Sequence, residues 1–256
     1  MPDFRNMNRP TPIIRAVCLS LLLIQTGLLR LQAESQAKSE WRPWVEKINA
    51  RLVDTLTPQQ QSHWGKPPVK TSDGKNAWVE SIERQVVVSD ATTELWSRIA
   101  LAIGRDASCP GYSTEFLRRC ADAPNGMAAL PDPSEIPSKK AKKPIVDDRN
   151  QQLTAFNQLA ATLISAELVR PSIVPQDGAS KGAARLTDAQ AREVLLEGTR
   201  LAARSGYTSE ALQSLLTALP AGAPSPVWVN AFLPAQTRGA ALAKEIKKVE
   251  RKATGR

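Results

Sequence analysis

The chain has 256 residues, 42% of them hydrophobic, and a formal net charge of +9 at pH 7. This length suffices for one good hydrophobic core or two small ones. The excess of positive charge favours anionic partners such as nucleic acid, anionic lipid or an anionic cell-wall polymer, although it can also serve solubility alone. Two of the three cysteines, Cys109 and Cys120, lie after residue 37, and with one distant histidine, His63, they do not make a zinc tetrad, so we predict no metal and no cofactor.

Residues 1–37 are typical of an export signal. Three arginines precede an apolar run at 16–29, and small residues that suit cleavage follow at Ala33 and Ala37. The run is about 14 residues long, whereas a helix that spans a bilayer needs roughly 20. We therefore predict a signal peptide that is cleaved near Ala33 or Ala37, and a periplasmic or secreted protein. The alternative is a single N-terminal membrane anchor.

Residues 38–123 predict a tryptophan-rich helical domain. Apolar side chains recur at helical spacing over about 43–56 and again over 91–103. Thr57 followed by Pro58 is the pattern of a helix cap and first turn, and it predicts a short helix after the first one.

The segment at 66–88 carries mixed signals. Two prolines and an Asp-Gly pair predict a loop at 66–74. The spacing of Trp78 and Ile82 predicts a helix at 76–85, while the β-branched run at 86–88 allows a short strand instead. We favour the helix.

Export changes the expectation for the cysteines that follow the signal. Cys109 and Cys120 are separated by a predicted turn and short helix. In an oxidising compartment such a pair favours a disulfide, and closing so short a loop would contribute roughly 3 kcal/mol. We predict a Cys109–Cys120 bond within the first domain; the alternative is two unrelated thiols.

Residues 124–148 predict a flexible linker, because they contain many prolines, a lysine cluster and few apolar residues. Residues 149–256 predict a second helical domain that ends in a basic helix. Its helices are expected at about 149–169, 187–205, 208–219 and 235–252. The predicted fold is thus mostly α: two small helical subdomains or bundles joined by a Pro/Lys-rich linker, without a substantial sheet.

No catalytic motif is present. The chain has no Gly-x-Ser-x-Gly elbow and no phosphate-binding glycine loop, so we predict no catalytic residue. Trp41 and Trp64 lie at the ends of predicted helices, and together with His63 they are candidates for a groove that binds carbohydrate or peptide. The alternative is that the tryptophans form the core of a small helical domain.

The basic C-terminal helix is a candidate for binding an anionic surface. Its cations at Lys244, Lys247, Lys248 and Arg251 recur at i, i+3, i+4 and i+7, so they share one helix face. The alternative is a solvated face on a helix that packs through its apolar stripe.

These features favour an exported, non-enzymatic interaction or assembly protein of the bacterial cell envelope, for example an accessory of a secretion or conjugative-transfer apparatus. Its expected partners are envelope proteins, together with an anionic polymer or membrane surface that the basic clusters contact. Nucleic acid is the less expected partner because of export. The alternative function is an envelope enzyme or binding protein that acts on an anionic polymer, either cell-wall glycan or DNA.

Overall fold

The computed structural model describes residues 40–73, 79–82, 84–122, 147–174, 186–219 and 238–255. The predicted signal peptide at 1–37 lies outside these residues, and so does most of the predicted linker at 124–148. Trp78 and Trp228 also lie outside them.

The described part of the chain is mostly helical, which confirms the predicted fold class at that level. It contains eight helices and three short strands. In chain order the elements are α1 (Arg42–Thr55), α2 (Pro58–Ser62), β1 (Val69–Ser72), β2 (Val79–Ile82), β3 (Gln85–Ser89), α3 (Asp90–Asp106), α4 (Tyr112–Asp122), α5 (Arg149–Ile173), α6 (Asp188–Arg204), α7 (Glu210–Ala218) and α8 (Ala240–Thr254).

Side-chain caps begin several of these helices, including the cap predicted at Thr57. Thr57 and Thr187 each accept a hydrogen bond from the backbone N–H three residues on, and each is half of a reciprocal capping box. Ser89 caps α3 and Asp148 caps α5 in the simpler one-sided manner. These local bonds satisfy N–H groups that have no partner within the helix, and they fix where each helix starts.

The three strands form one small sheet in the order β1-β3-β2. Strand β1 is parallel to β3, and β2 is antiparallel to β3. The prediction of a helix at 76–85 was therefore wrong, and β1 lies within the predicted loop. Burial alternates along β3 as it does in a strand, because Val86 and Val88 are fully buried while Val87 between them is half-buried.

Helix α5 lies at the centre of the core. It packs against α1, α3, α6 and α7, and every residue from 159 to 169 is buried. A helix that is buried all round must carry apolar or small side chains on every side, and this stretch is almost entirely Leu, Ala, Ile, Val, Ser and Thr. The buried residues of α1, α3 and α5 to α8 form one cluster, so the two predicted halves share a core.

The helix backbones come very close together where α5 and α6 cross. A Cβ atom added to Gly198 on α6 would lie 2.5 Å from the backbone nitrogen of Ala166 and 2.6 Å from its Cα. Real Cβ atoms do not approach backbone so closely, and glycine here lets the two helix backbones meet.

A cationic face on the last helix

Helix α8 is fixed to the body of the protein by its apolar stripe. Leu242, Ala243 and Ile246 are buried, and the helix packs against α6 and α7. Gly239 before the helix and Gly255 after it both have positive φ angles, of 115° and 69°, which glycine adopts without strain. The buried stripe determines which side of α8 faces outwards.

The first glutamate of α8 is paired across to α6. Glu245 accepts two hydrogen bonds from the Arg192 guanidinium, with N–O distances of 2.8 and 2.5 Å. These bonds, and to a lesser extent the charges of Arg192 and Lys248, hold the pKa of Glu245 below its usual range. The carboxylate therefore stays ionised, and its charge is compensated by Arg192.

The second glutamate of α8 caps another helix. Glu250 accepts hydrogen bonds from the backbone N–H of Ser209, at 3.0 Å, and from the Ser209 hydroxyl. Ser209 is the N-cap residue of α7 and makes no side-chain cap of its own. From the other side, Gln158 of α5 accepts from the N–H of Ala211 at 3.1 Å. A carboxylate at a helix N-terminus is favourably placed against the helix dipole.

The cations of α8 lie on the side of the helix opposite its buried apolar stripe. All five are exposed. Four of them share one helix face, which we call the cationic face, and they are Lys244, Lys247, Lys248 and Arg251. At 100° and 1.5 Å per residue, they span an arc of about 100° and a length of roughly 10 Å along the helix. Within the described residues none of the four forms a salt bridge. The structure thus places the four predicted residues together on one outward surface, and the two glutamates of α8 are turned to its flanks.

The predicted tryptophan groove does not form. Trp41 is 4% exposed and Trp64 is 6% exposed. The ring of Trp41 lies 4.5 Å from that of Phe156, and the Trp64 indole N–H donates to the Leu168 carbonyl at 3.0 Å. Both contacts are to α5, so the two indoles belong to the core and present no open ring face to a ligand. This corrects the candidate groove and supports the alternative, a tryptophan core.

His63, the third groove candidate, lies at the end of α2 and is half-buried. Its carbonyl accepts a hydrogen bond from Arg84 at 3.2 Å. Among the described residues no carboxylate is hydrogen-bonded to its ring, so the arrangement that would activate a histidine as a base is not assembled there.

The predicted Cys109–Cys120 disulfide is absent. Both residues are buried free thiols. Cys109 precedes the start of α4 at Tyr112, while Cys120 lies eight residues into that helix. Eight residues of helix rise about 12 Å, whereas bridged cysteines have Cα atoms within about 7 Å. Burial raises the pKa of Cys120 to about 12, the opposite of what a reactive thiol needs.

Two ion pairs, each with one buried partner, were not evident from the sequence. Arg105 is 6% exposed and donates to both carboxylate oxygens of Asp147, at 2.6 and 2.7 Å, and to the Tyr112 hydroxyl at 2.7 Å. The hydrogen bonds that Arg105 donates to Asp147 are the main reason why the pKa of Arg105 is raised. Arg42 similarly donates to both oxygens of the buried Asp90, at 2.9 and 2.8 Å. Partners 42 and 48 residues apart leave no local signal in a sequence.

A cavity of about 300 Å³ lies between α1 and β1. Its walls include Val45 and Val69, with Glu46 and Lys70 among the polar lining residues. The carboxamide oxygen of Asn49, which also lines it, has no hydrogen-bond partner within the described part of the chain.

The part of the chain that the structure describes contains no group of three His, Cys, Asp or Glu side chains placed to hold a metal ion. Within the same stretches, no helix combines the length and hydrophobicity required to cross a bilayer. No protein-family model, curated protein or solved structure matches this chain.

Proposed function

We propose that this chain is an exported, non-enzymatic interaction protein of the bacterial cell envelope, an accessory of a secretion or conjugative-transfer apparatus, which engages an anionic partner through the cationic face of α8. The observation that carries the proposal is the segregation of charge on this helix. Its two glutamates are bound to Arg192 and Ser209, while the charged residues on its outward side are cations.

This segregation supports binding for an electrostatic reason. A carboxylate among the lysines would cancel much of their field, and four cations within roughly 10 Å reinforce one another. The field adds to that of a chain with a net charge of +9, and such a surface attracts anionic partners from a distance and loses them as salt increases.

The alternative function, an enzyme or binding protein for cell-wall glycan, had its main support in exposed tryptophans. The burial of Trp41 and Trp64 removes that support, since an indole stacks on a sugar only through an open ring face.

The test compares two variants with the same loss of charge. In the face variant the four residues of the cationic face are changed to alanine. In the scattered variant four other exposed cations are changed to alanine, and these are Lys47, Lys66, Lys70 and Arg204.

Retention of the full chain on immobilised dextran sulfate is measured over a salt gradient. We expect the face variant to elute at clearly lower salt than the wild type, and the scattered variant to elute close to the wild type. Equal shifts for the two variants would mean that net charge alone governs retention, and the proposal would be wrong.

A further inference from the structure

We infer that the anionic partner of the cationic face is the surface of a lipid bilayer with anionic headgroups, which α8 binds without inserting. The inference rests on the proposed function and specifies its partner. Three features of α8 carry it: its buried apolar stripe, the composition of its outer side and its fixed orientation.

The apolar stripe of α8 is already occupied. Amphipathic helices that insert into a membrane bury their apolar face among the acyl chains. In α8 the corresponding residues, Leu242, Ala243 and Ile246, are buried against the protein. Only the charged side is left to meet a membrane, so binding is electrostatic and peripheral.

The outer side of α8 suits headgroups better than nucleic acid. From 240 to 252 its outward residues are alanine, lysine and arginine, while the Glu245 side chain, 41% exposed, is bound to Arg192 at the flank. It has no aromatic ring on which a base could stack and no carboxamide that could read a base edge. Four of its five exposed cations, counting Lys252, are lysines. Lysine acts as a compact, hydrated point charge, whereas the planar fork of arginine favours fixed bidentate contacts with phosphate.

The orientation of α8 is held on both flanks. Arg192 of α6 binds Glu245 on one side, and Ser209 at the start of α7 binds Glu250 on the other. These contacts and the buried stripe keep the four cations pointing together away from the body. The first turn adds Ala240 and Ala241, whose exposed side chains are small, so a flat surface can approach the cations closely.

The experiment is co-sedimentation of the full chain with sucrose-loaded vesicles. One set contains phosphatidylcholine alone, and the other contains 30% phosphatidylglycerol. Neutral vesicles report any binding that does not depend on lipid charge, including a contribution from the apolar run at 16–29. The quantity of interest is the ratio of the two partition coefficients, measured at low and at high salt.

A cation at an anionic membrane surface strengthens partitioning by about fivefold. We therefore expect the ratio for the face variant to fall by roughly 10²- to 10³-fold at low salt. The scattered variant should retain most of the wild-type ratio, and high salt should abolish the difference among the three proteins.

The outcomes separate this inference from the proposed function. Retention on dextran sulfate through the cationic face, combined with equal binding of neutral and anionic vesicles, would overturn the lipid partner and leave an anionic polymer. Face-dependent binding to duplex DNA without binding to anionic vesicles would overturn it in favour of nucleic acid. If the face variant kept both its retention on dextran sulfate and its binding to anionic vesicles, both proposals would be overturned.

Discussion

Two regions of the molecule restrict their residues for different reasons: the crossing of α5 and α6 restricts volume, and the outer side of α8 restricts charge. At the crossing, Gly198 lies against the backbone of Ala166 and has no room for one further carbon atom. On α8, four long side chains extend into solvent without a salt bridge among the described residues. Packing therefore determines which residues are possible at the crossing, and only charge distinguishes one residue from another on the outer side of α8.

This contrast distinguishes positions that determine stability from positions that determine binding. A change at the crossing alters the folded state itself, because an interior packed at crystal density cannot absorb added volume without moving. A change in the cationic face alters what the protein attracts and leaves its folding nearly untouched, since exposed substitutions remote from special contacts cost within about 0.5 kcal/mol.

The substitution Gly198→Ala tests this contrast most directly, and we expect it to have the largest effect on stability. The new Cβ would lie 2.5 Å from the Ala166 nitrogen, so the helices must separate, and we expect a loss of about 2–3 kcal/mol in the free energy of unfolding. Urea denaturation followed by circular dichroism measures it.

The matched control is Gly104→Ala on α3. A Cβ there would meet the nearest atom, Cβ of Gln151, at 3.8 Å, which is an ordinary contact. Alanine is the better helix former, so this variant should keep or slightly raise stability. If Gly198→Ala were as harmless as this control, the α5–α6 crossing would not be as close as described.

The next largest effect compares an ion pair whose arginine is buried with an ion pair in which both partners are exposed. Arg105 is 6% exposed, whereas Arg192 and Glu245 are 49% and 41% exposed. Arg105→Met keeps the volume but leaves the Tyr112 hydroxyl and Asp147 without their donor. Because Asp147 is 50% exposed and water can replace part of the loss, we expect a cost of about 2 kcal/mol.

Arg192→Ala provides the comparison, and we expect its cost to be much smaller, because solvent screens an exposed ion pair. The same urea measurement applies to both variants, and 0.5 M salt should reduce the effect of Arg192→Ala far more than that of Arg105→Met. Similar costs with similar salt dependence would contradict the division between interior and surface.

Local patterns explain which features could be predicted. The capping boxes at Thr57 and Thr187 and the i, i+3, i+4, i+7 cations of α8 depend on residues a few positions apart, so the sequence alone locates them. The helix predicted at 76–85 rested on Trp78 and Ile82. Four residues is an even spacing, so it places two side chains on one face of a strand as readily as on one face of a helix.

The other errors have non-local causes. Strand β1 pairs with β3 across 17 positions, Val69 with Val86, and the Trp64 indole N–H reaches Leu168 across 104 positions. Neither partner can be identified from periodicity. The disulfide prediction depended on cysteine spacing and on export. It included a short helix between the cysteines but not the distance by which that helix separates Cys120 from Cys109.

The smallest expected effect concerns pH and a surface carboxylate. Hydrogen bonds from Arg118 and then Arg119 hold the pKa of Glu115 at about 2, against 4.5 for an unperturbed glutamate. Between these two values the unfolded chain binds a proton that the folded protein does not, so this contribution to stability is fully present above about pH 4.5 and is lost as the pH falls towards 2. Glu115 is 37% exposed, and solvent screening limits the contribution to about 0.5 kcal/mol.

Glu115→Gln should therefore be less stable than the wild type by about that amount at pH 6, and the difference should vanish near pH 2 in parallel urea titrations. A difference that persisted unchanged at pH 2 would show that the side chain stabilises α4 by its packing and not by its charge.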